Sequence, residues 1–382
     1  MPAGLHFCRN IVTLYSMCGF AKHIVTCVAS VVLALCLADA LGMYDCRYEP
    51  VAEPEIEKPA ETVRRARLLF AGDVMCHMPQ VIAARSDSGY DFKGSFAGVK
   101  PYFDRADMAI VNLETTVSSN GRYSGYPSFS SPPELIDALH WLGVDVALLA
   151  NNHCCDRGRR GISSTIDKLD GCRIAHTGVF RSPEEYSSTN PLRFEIDSIS
   201  FAMLNYTYGT NGLEVPDGYK VNLTDTIALK TDLAKAADAD CTVVCMHWGD
   251  EYVQKPGRRQ RRLADFLLAN GADVIVGSHP HVVQPAEISE DGRPVLYSLG
   301  NFISNQRKRY CDGGIIAEID VVKRDSLPAE YRVTVTPVWV MLPGYRLVPP
   351  ESADTVTMTP SQRAEYEIFM KDTELIFSRK GV

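Results

Sequence analysis

Residues 271–285 read GADVIVGSHPHVVQP and join a short apolar run to a cluster of polar side chains. The run at 273–277 has the length and composition of a buried strand, and Ser278, His279 and His281 follow it directly. In open α/β sheets, functional groups gather where the strands end. The stretch therefore predicts a buried strand of an α/β fold with a polar site at its carboxyl end.

The same arrangement recurs through most of the chain. Further apolar runs that resemble strands lie at 67–72, 108–113, 144–150, 200–206, 241–247 and 295–299. Helical patterns lie between them at 132–142, 159–169, 223–237 and 256–270. Continuous apolar strands that alternate with helices predict sheets that are covered on their faces, and hence an α/β fold. Alternating strands at 315–321 and 331–340 and a helix at 360–377 complete the pattern.

Polar clusters follow nearly all of these apolar runs. They contain Asp73, Asn112 with Glu114, Asn152 with His153 and Asp156, His247 with Glu251, and His279 with His281. A single cluster indicates little, since a lone Gly-Asp is usually a turn and a lone buried histidine is usually structural. Burying all of these groups together costs several kcal/mol each unless something pairs them. A bound cation is the simplest explanation, and mixed imidazole and carboxylate ligands favour Zn²⁺, Fe or Mn²⁺.

In this order the clusters resemble the CapA/PgsA family of poly-γ-glutamate capsule-biosynthesis proteins, whose domain is similar to calcineurin-like metallophosphoesterases. The matching motifs are LLFAGDVM at 68–75, IVNLETTV at 110–117, LLANNHCCDRGRRGI at 148–162, MHWGDEY at 246–252, GADVIVGSHPHVVQP at 271–285 and YSLGNFISNQ at 297–306. The resemblance spans residues 67–320. It implies a four-layer α/β/β/α sandwich with one or two divalent metal ions at the strand ends.

The resemblance also implies roles for individual residues. The implied metal ligands are Asp73, Glu114, Asn152, His247, His279 and His281. His153 matches the catalytic histidine, and we expect Asp156 and Glu251 to orient the groups around it. The pattern departs from the phosphoesterases in two places: Met75 stands where a histidine is usual, and Asn112 lies where an aspartate motif is usual. One expected ligand of the first metal is therefore missing, so phosphoesterase activity does not follow from the resemblance.

Three functions remain open on these grounds. The first is a metal-dependent hydrolase that acts on an exported anionic polymer such as poly-γ-glutamate, or on its phosphorylated precursor. The second is a non-catalytic polymer-binding subunit of a membrane complex for capsule synthesis and export, and the third is a solute-binding module. The net charge of −8 argues against a broad nucleic-acid-binding face. The arginine run at 258–262 is either a solvated helix face or a landing surface for an anionic chain.

The chain divides into a leader, a linker, a large domain and a C-terminal extension. At 1–43, an apolar run at 24–38 follows Lys22 and precedes an Ala-x-Ala pattern, which predicts a signal peptide or a retained membrane anchor; Cys36 allows a lipoprotein instead. Residues 44–66 are a Pro/Glu-rich linker, 67–325 the metallophosphoesterase-type domain, and 326–382 a β extension with a helix. Export to the outer face of the cytoplasmic membrane is the expectation.

Overall fold

The computed structural model describes residues 7–42, 62–325 and 327–378, and the chain separates into two compact units, Met1–Ala60 and Glu61–Val382. The first unit contains helix α1 (Phe7–Ala40), which exposes apolar side chains such as Val25 and Leu33. Across the described residues, no helix combines the length and the apolar character that crossing a membrane requires. Most of the predicted linker lies outside the described residues, and strand β1 begins at Val63, four residues before the predicted start.

The second unit alternates strands and helices. Its strands are β1 (Val63–Val74), β2 (Arg85–Ser86), β3 (Gly89–Tyr90), β4 (Met108–Leu113), β5 (Val146–Leu148), β6 (Ala175–Thr177), β7 (Val179–Phe180), β8 (Leu192–Ile196), β9 (Ile199–Thr207), β10 (Lys220–Val221), β11 (Cys241–His247), β12 (Val274–Ser278), β13 (Ala286–Ile288), β14 (Pro294–Leu296), β15 (Asn301–Ile303), β16 (Gly313–Arg324), β17 (Glu330–Met341) and β18 (Arg346–Val348). Its helices are α2 (Met78–Ala83), α3 (Lys93–Phe96), α4 (Lys100–Phe103), α5 (Glu134–Leu142), α6 (Gly158–Gly171), α7 (Pro183–Thr189), α8 (Thr226–Ala236), α9 (Arg258–Ala269) and α10 (Pro360–Phe377), with a 3₁₀ turn at Pro350–Ser352.

Most of these strands form two sheets. The first sheet has the order β18-β17-β16-β1-β4-β5-β6, and β15 also pairs with β1. Strands β1, β4, β5 and β6 are parallel, whereas β16 and β17 are antiparallel additions. The second sheet has the order β13-β14-β12-β11-β9-β8 and is parallel from β14 to β9. The segment beyond residue 326 thus continues the first sheet, because β17 pairs with β16 over its length.

The two sheets share one buried apolar layer. Strand β1 turns Leu68 and Phe70 into this layer, since alternate residues of a strand face opposite sides. Met203 of β9 and Val243 of β11 belong to the same buried cluster. Each of these side chains is almost completely buried, and such burial stabilises the fold by about 1.5–3 kcal/mol per residue.

Helices cover the outer face of each sheet. On the first sheet, Leu69 of β1 packs in a cluster with Leu139 of α5 and Ile166 of α6. On the second sheet, a separate cluster joins β11 and β12 to Leu229 of α8 and Leu267 of α9. The order of layers is therefore helices, sheet, sheet, helices. This arrangement confirms the predicted α/β/β/α sandwich.

Gly72 fixes the approach of β1 to the segment that precedes β15. The amide of Asp73 donates to the carbonyl of Gly300 at 3.0 Å, and a Cβ atom on residue 72 would overlap that carbonyl oxygen. The atoms that this Cβ would meet first belong to the backbone of Gly300, so no flexible side chain could move aside to make room for it.

We therefore expect Gly72→Ala to lower the free energy of unfolding by about 3 kcal/mol, as overpacking in a rigid site does. Gly94→Ala is the matched control, since a Cβ atom in helix α3 meets nothing within 4 Å. Urea unfolding of both variants measures the difference. Equal stability of the two variants would show that this backbone contact is not tight.

Candidate metal centre

The predicted ligands lie together at the carboxyl ends of parallel strands from both sheets. Asp73 ends β1, Glu114 follows β4 and Asn152 follows β5, while His247 ends β11 and two further histidines follow β12. All six side chains are buried. They are Asp73, Glu114, Asn152, His247, His279 and His281. The stacking of the two sheets thus brings polar residues from five strand ends to one place.

Two groups of possible ligand atoms share one carboxylate. In the first group, one ligand atom each from Asp73, Glu114 and His247 lies within 4.8 Å of the others. In the second, the same holds for Glu114, His279 and His281. Glu114 belongs to both groups, and its Oε1 atom is 3.7 Å from Nε2 of both His247 and His281. Glu114 is therefore the residue that both groups would use to hold a divalent ion.

Two buried atoms of this cluster have no hydrogen-bond partner among the described residues. They are Oε1 of Glu114 and Nδ1 of His279. Leaving a buried polar group unsatisfied costs about 1–3 kcal/mol, and more for a charged one. A carboxylate oxygen and an imidazole nitrogen are also ordinary ligands of Zn²⁺, Mn²⁺ and Fe. A divalent cation therefore fits the residues present, because it would satisfy both atoms at once.

The remaining expected ligands also contact one another. Nδ1 of His281 is 2.9 Å from Oδ2 of Asp73, and Nε2 of His247 is 2.8 Å from Oδ1 of Asn152. The amide nitrogen of Asn152 donates to Oδ1 of Asn211 at 3.2 Å. Contacts of this kind hold ligand side chains in a fixed orientation before a metal binds.

Asn112 lies between the two carboxylates. Its amide nitrogen is 2.7 Å from Oδ1 of Asp73 and 3.2 Å from Oε2 of Glu114, and Asn151 donates to its carbonyl oxygen at 3.3 Å. A neutral donor between two acids reduces their repulsion without adding charge. Asn112 therefore orients Asp73 and Glu114, which is a role that the sequence pattern did not predict.

The protonation states of two histidines favour metal binding. Burial lowers the pKa of His279 to about 3 and lowers that of His247 well below its ordinary value, and neighbouring histidines add to both effects. These rings are therefore neutral at pH 7, which is the form that binds a metal. Burial, followed by the nearby Asp73 carboxylate, raises the pKa of Glu114 well above its ordinary value. A cation beside Glu114 would oppose this shift.

The backbone of the second histidine motif is strained. His279 has a φ of 97° and His281 a φ of 56°, although both residues carry a Cβ atom. Such conformations cost about 1–3 kcal/mol each and persist where the surroundings determine them. The strain aims two imidazoles from a three-residue segment into the same polar cluster.

Asp156, which was expected to orient His153, contacts the ring of this histidine. Its Nδ1 atom is 2.8 Å from Oδ2 of Asp156, which also accepts the amide proton of Phe129 at 2.6 Å. The rings of His153 and Phe129 are nearly perpendicular, with centroids 4.7 Å apart. With Nδ1 engaged, Nε2 is the atom of His153 that remains for proton transfer. His153 is not part of either group of possible ligand atoms.

Glu251 lies apart from the buried cluster. Its side chain is exposed, and among the described residues it has no hydrogen bond to a histidine of the site. Its charge nevertheless acts here: burial and then Glu251 raise the pKa of both Tyr208 and Tyr252 to about 12. We infer that Glu251 influences the field at the rim and does not orient His153.

Sequence reasoning missed two residues at the rim. The ring of Tyr208 lies 4.6 Å from that of His279 and 6.3 Å from that of His247, and Asn211 supports Asn152 as described above. Both follow β9, whose carboxyl end meets the same edge of the sheet as β11. The sequence could have indicated them, because polar residues follow the apolar run at 200–206 just as they follow the other predicted strands.

Residues 67–306, which include every expected ligand, match the family model described as bacterial capsule synthesis protein PGA_cap. The chain belongs to this family. The match confirms the resemblance that the motifs indicated.

Relatives of this PGA_cap protein carry related names. The chain is 30% identical over 272 residues to capsule biosynthesis protein CapA of Bacillus anthracis, which covers 67% of this chain and 62% of that protein. It is 28% identical over 264 residues to PGA biosynthesis protein CapA of Bacillus subtilis strain 168, covering 66% of each. A probable polyglutamine synthesis accessory protein of Mycobacterium tuberculosis is 26% identical over 216 residues, 52% of this chain and 56% of that protein. The matched part of the chain thus spans between 56% and 66% of the length of these relatives.

Solved structures with a related arrangement are more distant. A phosphatase from Mycoplasma pneumoniae aligns with a TM-score of 0.43 and 17% identity, covering 72% of this PGA_cap chain and 95% of that one. A 5'-nucleotidase from Candida albicans aligns with a TM-score of 0.42 and 11% identity, covering 81% and 58%. At these TM-scores the likenesses are too distant to indicate an activity.

Proposed function

We propose that this protein is a metal-dependent hydrolase of poly-γ-glutamate capsule biosynthesis, acting on an exported anionic polymer or its phosphorylated precursor. The observation that carries the proposal is the convergence of five buried carboxylate and histidine side chains, among which Oε1 of Glu114 and Nδ1 of His279 have no hydrogen-bond partner within the described residues. Family membership supplies the capsule context, and the names of the relatives supply the polymer.

The chemistry divides between the cation and the chain. A divalent ion, when bound, lowers the pKa of water and polarises the bond to be cleaved. Asp73, Glu114, Asn152 and the three histidines of the cluster would hold one or two such ions, with Mn²⁺, Zn²⁺ or Fe as candidates. His153, oriented through Asp156, would deliver a proton to the leaving group from Nε2.

The proposal places the site outside the cytoplasmic membrane. The apolar run and the Ala-x-Ala pattern of the leader support export, with the N-terminus cleaved or kept as an attachment. There the protein would meet the growing polymer and the membrane complex that makes and exports it. Fractionation of cells and detection of the chain in the membrane or secreted fraction test the location.

A second candidate is a non-catalytic subunit that holds the polymer. Asn112 favours it, because phosphoesterases usually carry an aspartate motif here, whereas this neutral amide donates to both carboxylates of the site. In that case the cation and Tyr208 would bind carboxylates of the polymer without cleaving it. The two candidates therefore differ in turnover and not in binding.

Incubation of the purified chain with Mn²⁺ or Zn²⁺ and poly-γ-glutamate separates them. Hydrolysis of one γ-amide consumes one water and creates one amino group and one carboxylate, so we expect new amino groups to accumulate. A chromogenic phosphate monoester tests the precursor branch. The Asp73→Asn/His281→Ala variant is the control and should release neither product. Binding without product supports the second candidate, and the absence of both binding and product contradicts both.

A further inference from the structure

A polar cavity, which we call the arginine cavity, is lined by Arg157, the residue that follows Asp156 in the chain. Its volume is about 450 Å³, and it is formed by the segment 117–130 and the start of helix α6. Arg122, Arg157 and Arg160 line it together with hydroxyl groups such as those of Ser118 and Tyr123. The described residues that line it include no Asp or Glu.

Two of the three arginines of this cavity have no partner for their guanidinium groups among the described residues. Within residues 62–325 and 327–378, the guanidinium groups of Arg122 and Arg160 form no hydrogen bond or ion pair. Other arginines are paired: Arg105 with Glu318 through two bonds, and Arg181 with two aspartates. In a chain with a net charge of −8, unpaired arginines around one cavity indicate a place for an external anion.

The cavity also has a rigid side. The guanidinium of Arg157 donates to the hydroxyl of Ser124 and to the carbonyl of Ser128, the latter at 2.6 Å. The planar fork of an arginine binds a carboxylate through two parallel bonds, and less entropy is lost when the fork is already held in place. Arg157 would thus form the fixed contact, while Arg122 and Arg160, whose guanidinium groups have no such bonds among the described residues, adapt to the ligand.

A short chain of contacts connects the cavity to His153. The hydroxyl of Ser128 donates to the carbonyl of Asp156 at 2.9 Å, and the next residue, Phe129, donates its amide to the Asp156 carboxylate. The Phe129 ring packs on His153. The segment that carries Arg157's acceptors therefore also positions the residue expected to transfer a proton. An anion in the cavity would lie next to the site of reaction.

We propose that the arginine cavity binds carboxylate groups of an acidic polymer chain and holds the chain beside the metal centre. The identity of the polymer rests on the proposed function; the anion preference rests on the cavity alone. This assigns polymer contact to arginines from separate segments and not to the run at 258–262. In that run, Arg261 is paired with Glu287 and lies over Tyr297.

Fluorescence anisotropy with a labelled γ-linked oligoglutamate of defined length tests this assignment. We expect Arg122→Gln/Arg160→Gln to weaken binding about tenfold or more, since two charge-assisted contacts are lost. Arg258→Gln/Arg259→Gln removes the same charge from exposed positions of α9 and should change affinity less than about twofold. Metal content and thermal unfolding should be unchanged in both variants.

An equal loss of affinity in both double variants would overturn the proposal, because the loss would then depend only on the net charge of the protein. Unchanged binding in Arg122→Gln/Arg160→Gln would overturn it too. Displacement of the oligomer by inorganic phosphate at a lower concentration than by free glutamate would reassign the cavity to phosphate. Arginine-dependent binding that persists in Asp73→Asn/His281→Ala, with no hydrolysis by the wild type, would remove the proposed activity and leave the cavity assignment standing.

Discussion

Chelation of divalent metal is expected to lower the thermal unfolding temperature of the wild-type chain by roughly 5–10 °C. A ligand that binds only the folded state stabilises it by about 4 kcal/mol at 1,000 times its Kd. Because the unfolding entropy grows with chain length, a domain of this size converts each kcal/mol into about 1.5 °C. The physical cause is the cluster around Glu114, which without a cation leaves buried atoms unsatisfied. Calorimetry with and without EDTA measures the shift.

The Asp73→Asn/His281→Ala variant should show no response to EDTA or to added Mn²⁺. It removes one member of each group of possible ligand atoms. Glu195→Gln is the matched control, because this exposed carboxylate of edge strand β8 lies outside both groups and its loss should leave the response intact. An undiminished EDTA response in the double variant would mean that the stabilising metal binds elsewhere.

Replacement of His153 by alanine is expected to lower the rate of polymer hydrolysis by about 10²–10⁴-fold, the contribution typical of a positioned general acid. Metal content should stay at the wild-type value, since the ring of His153 contacts Asp156 and Phe129 and belongs to neither ligand group. Release of amino groups measures the rate of hydrolysis, and elemental analysis of the same sample measures the metal content.

Asp156→Asn provides a graded version of this experiment. It keeps a side chain of similar size but removes the charged acceptor of the His153 ring, so we expect a loss of about 10–100-fold. If the His153→Ala variant hydrolysed the polymer at the wild-type rate, His153 would be excluded from proton transfer. Loss of metal in that variant would instead make His153 a ligand.

The buried centre of the fold was predictable because burial leaves a direct trace in sequence. Strands β4 and β11 have the predicted bounds, since both of their faces are covered and both read as continuous apolar runs. Strand β8 was missed because it lies at the edge of its sheet, where Arg193 and Glu195 alternate with partly buried residues. Its short mixed pattern differs little from that of a loop.

The site was predictable to the extent that strand ends mark it. Asp73, Glu114 and His247 follow buried strands, and the pairing of parallel strands explains why neighbours in one sheet meet. Periodicity could not show that ends from two different sheets converge, because that depends on how the sheets stack. The family resemblance supplied this step.

Side chains recruited from loops were harder to predict. Tyr208 and Asn211 reach the site from a segment without regular structure, and Asn112 was read as part of a motif and not as the donor between two acids. The arginine cavity shows the same limit. Consecutive arginines at 258–262 stand out in a sequence, whereas arginines 35 or more residues apart, such as Arg122 and Arg157, do not.

Anomalous X-ray diffraction at the metal absorption edge, from crystals of the wild-type chain grown with Mn²⁺ or Zn²⁺, is the most direct test of the metal centre. We expect one or two anomalous peaks within bonding distance of Glu114, with Asp73 and His247 or His279 and His281 as the other ligands. Peaks only elsewhere in the molecule, or none at saturating metal, would contradict the assignment of the metal centre.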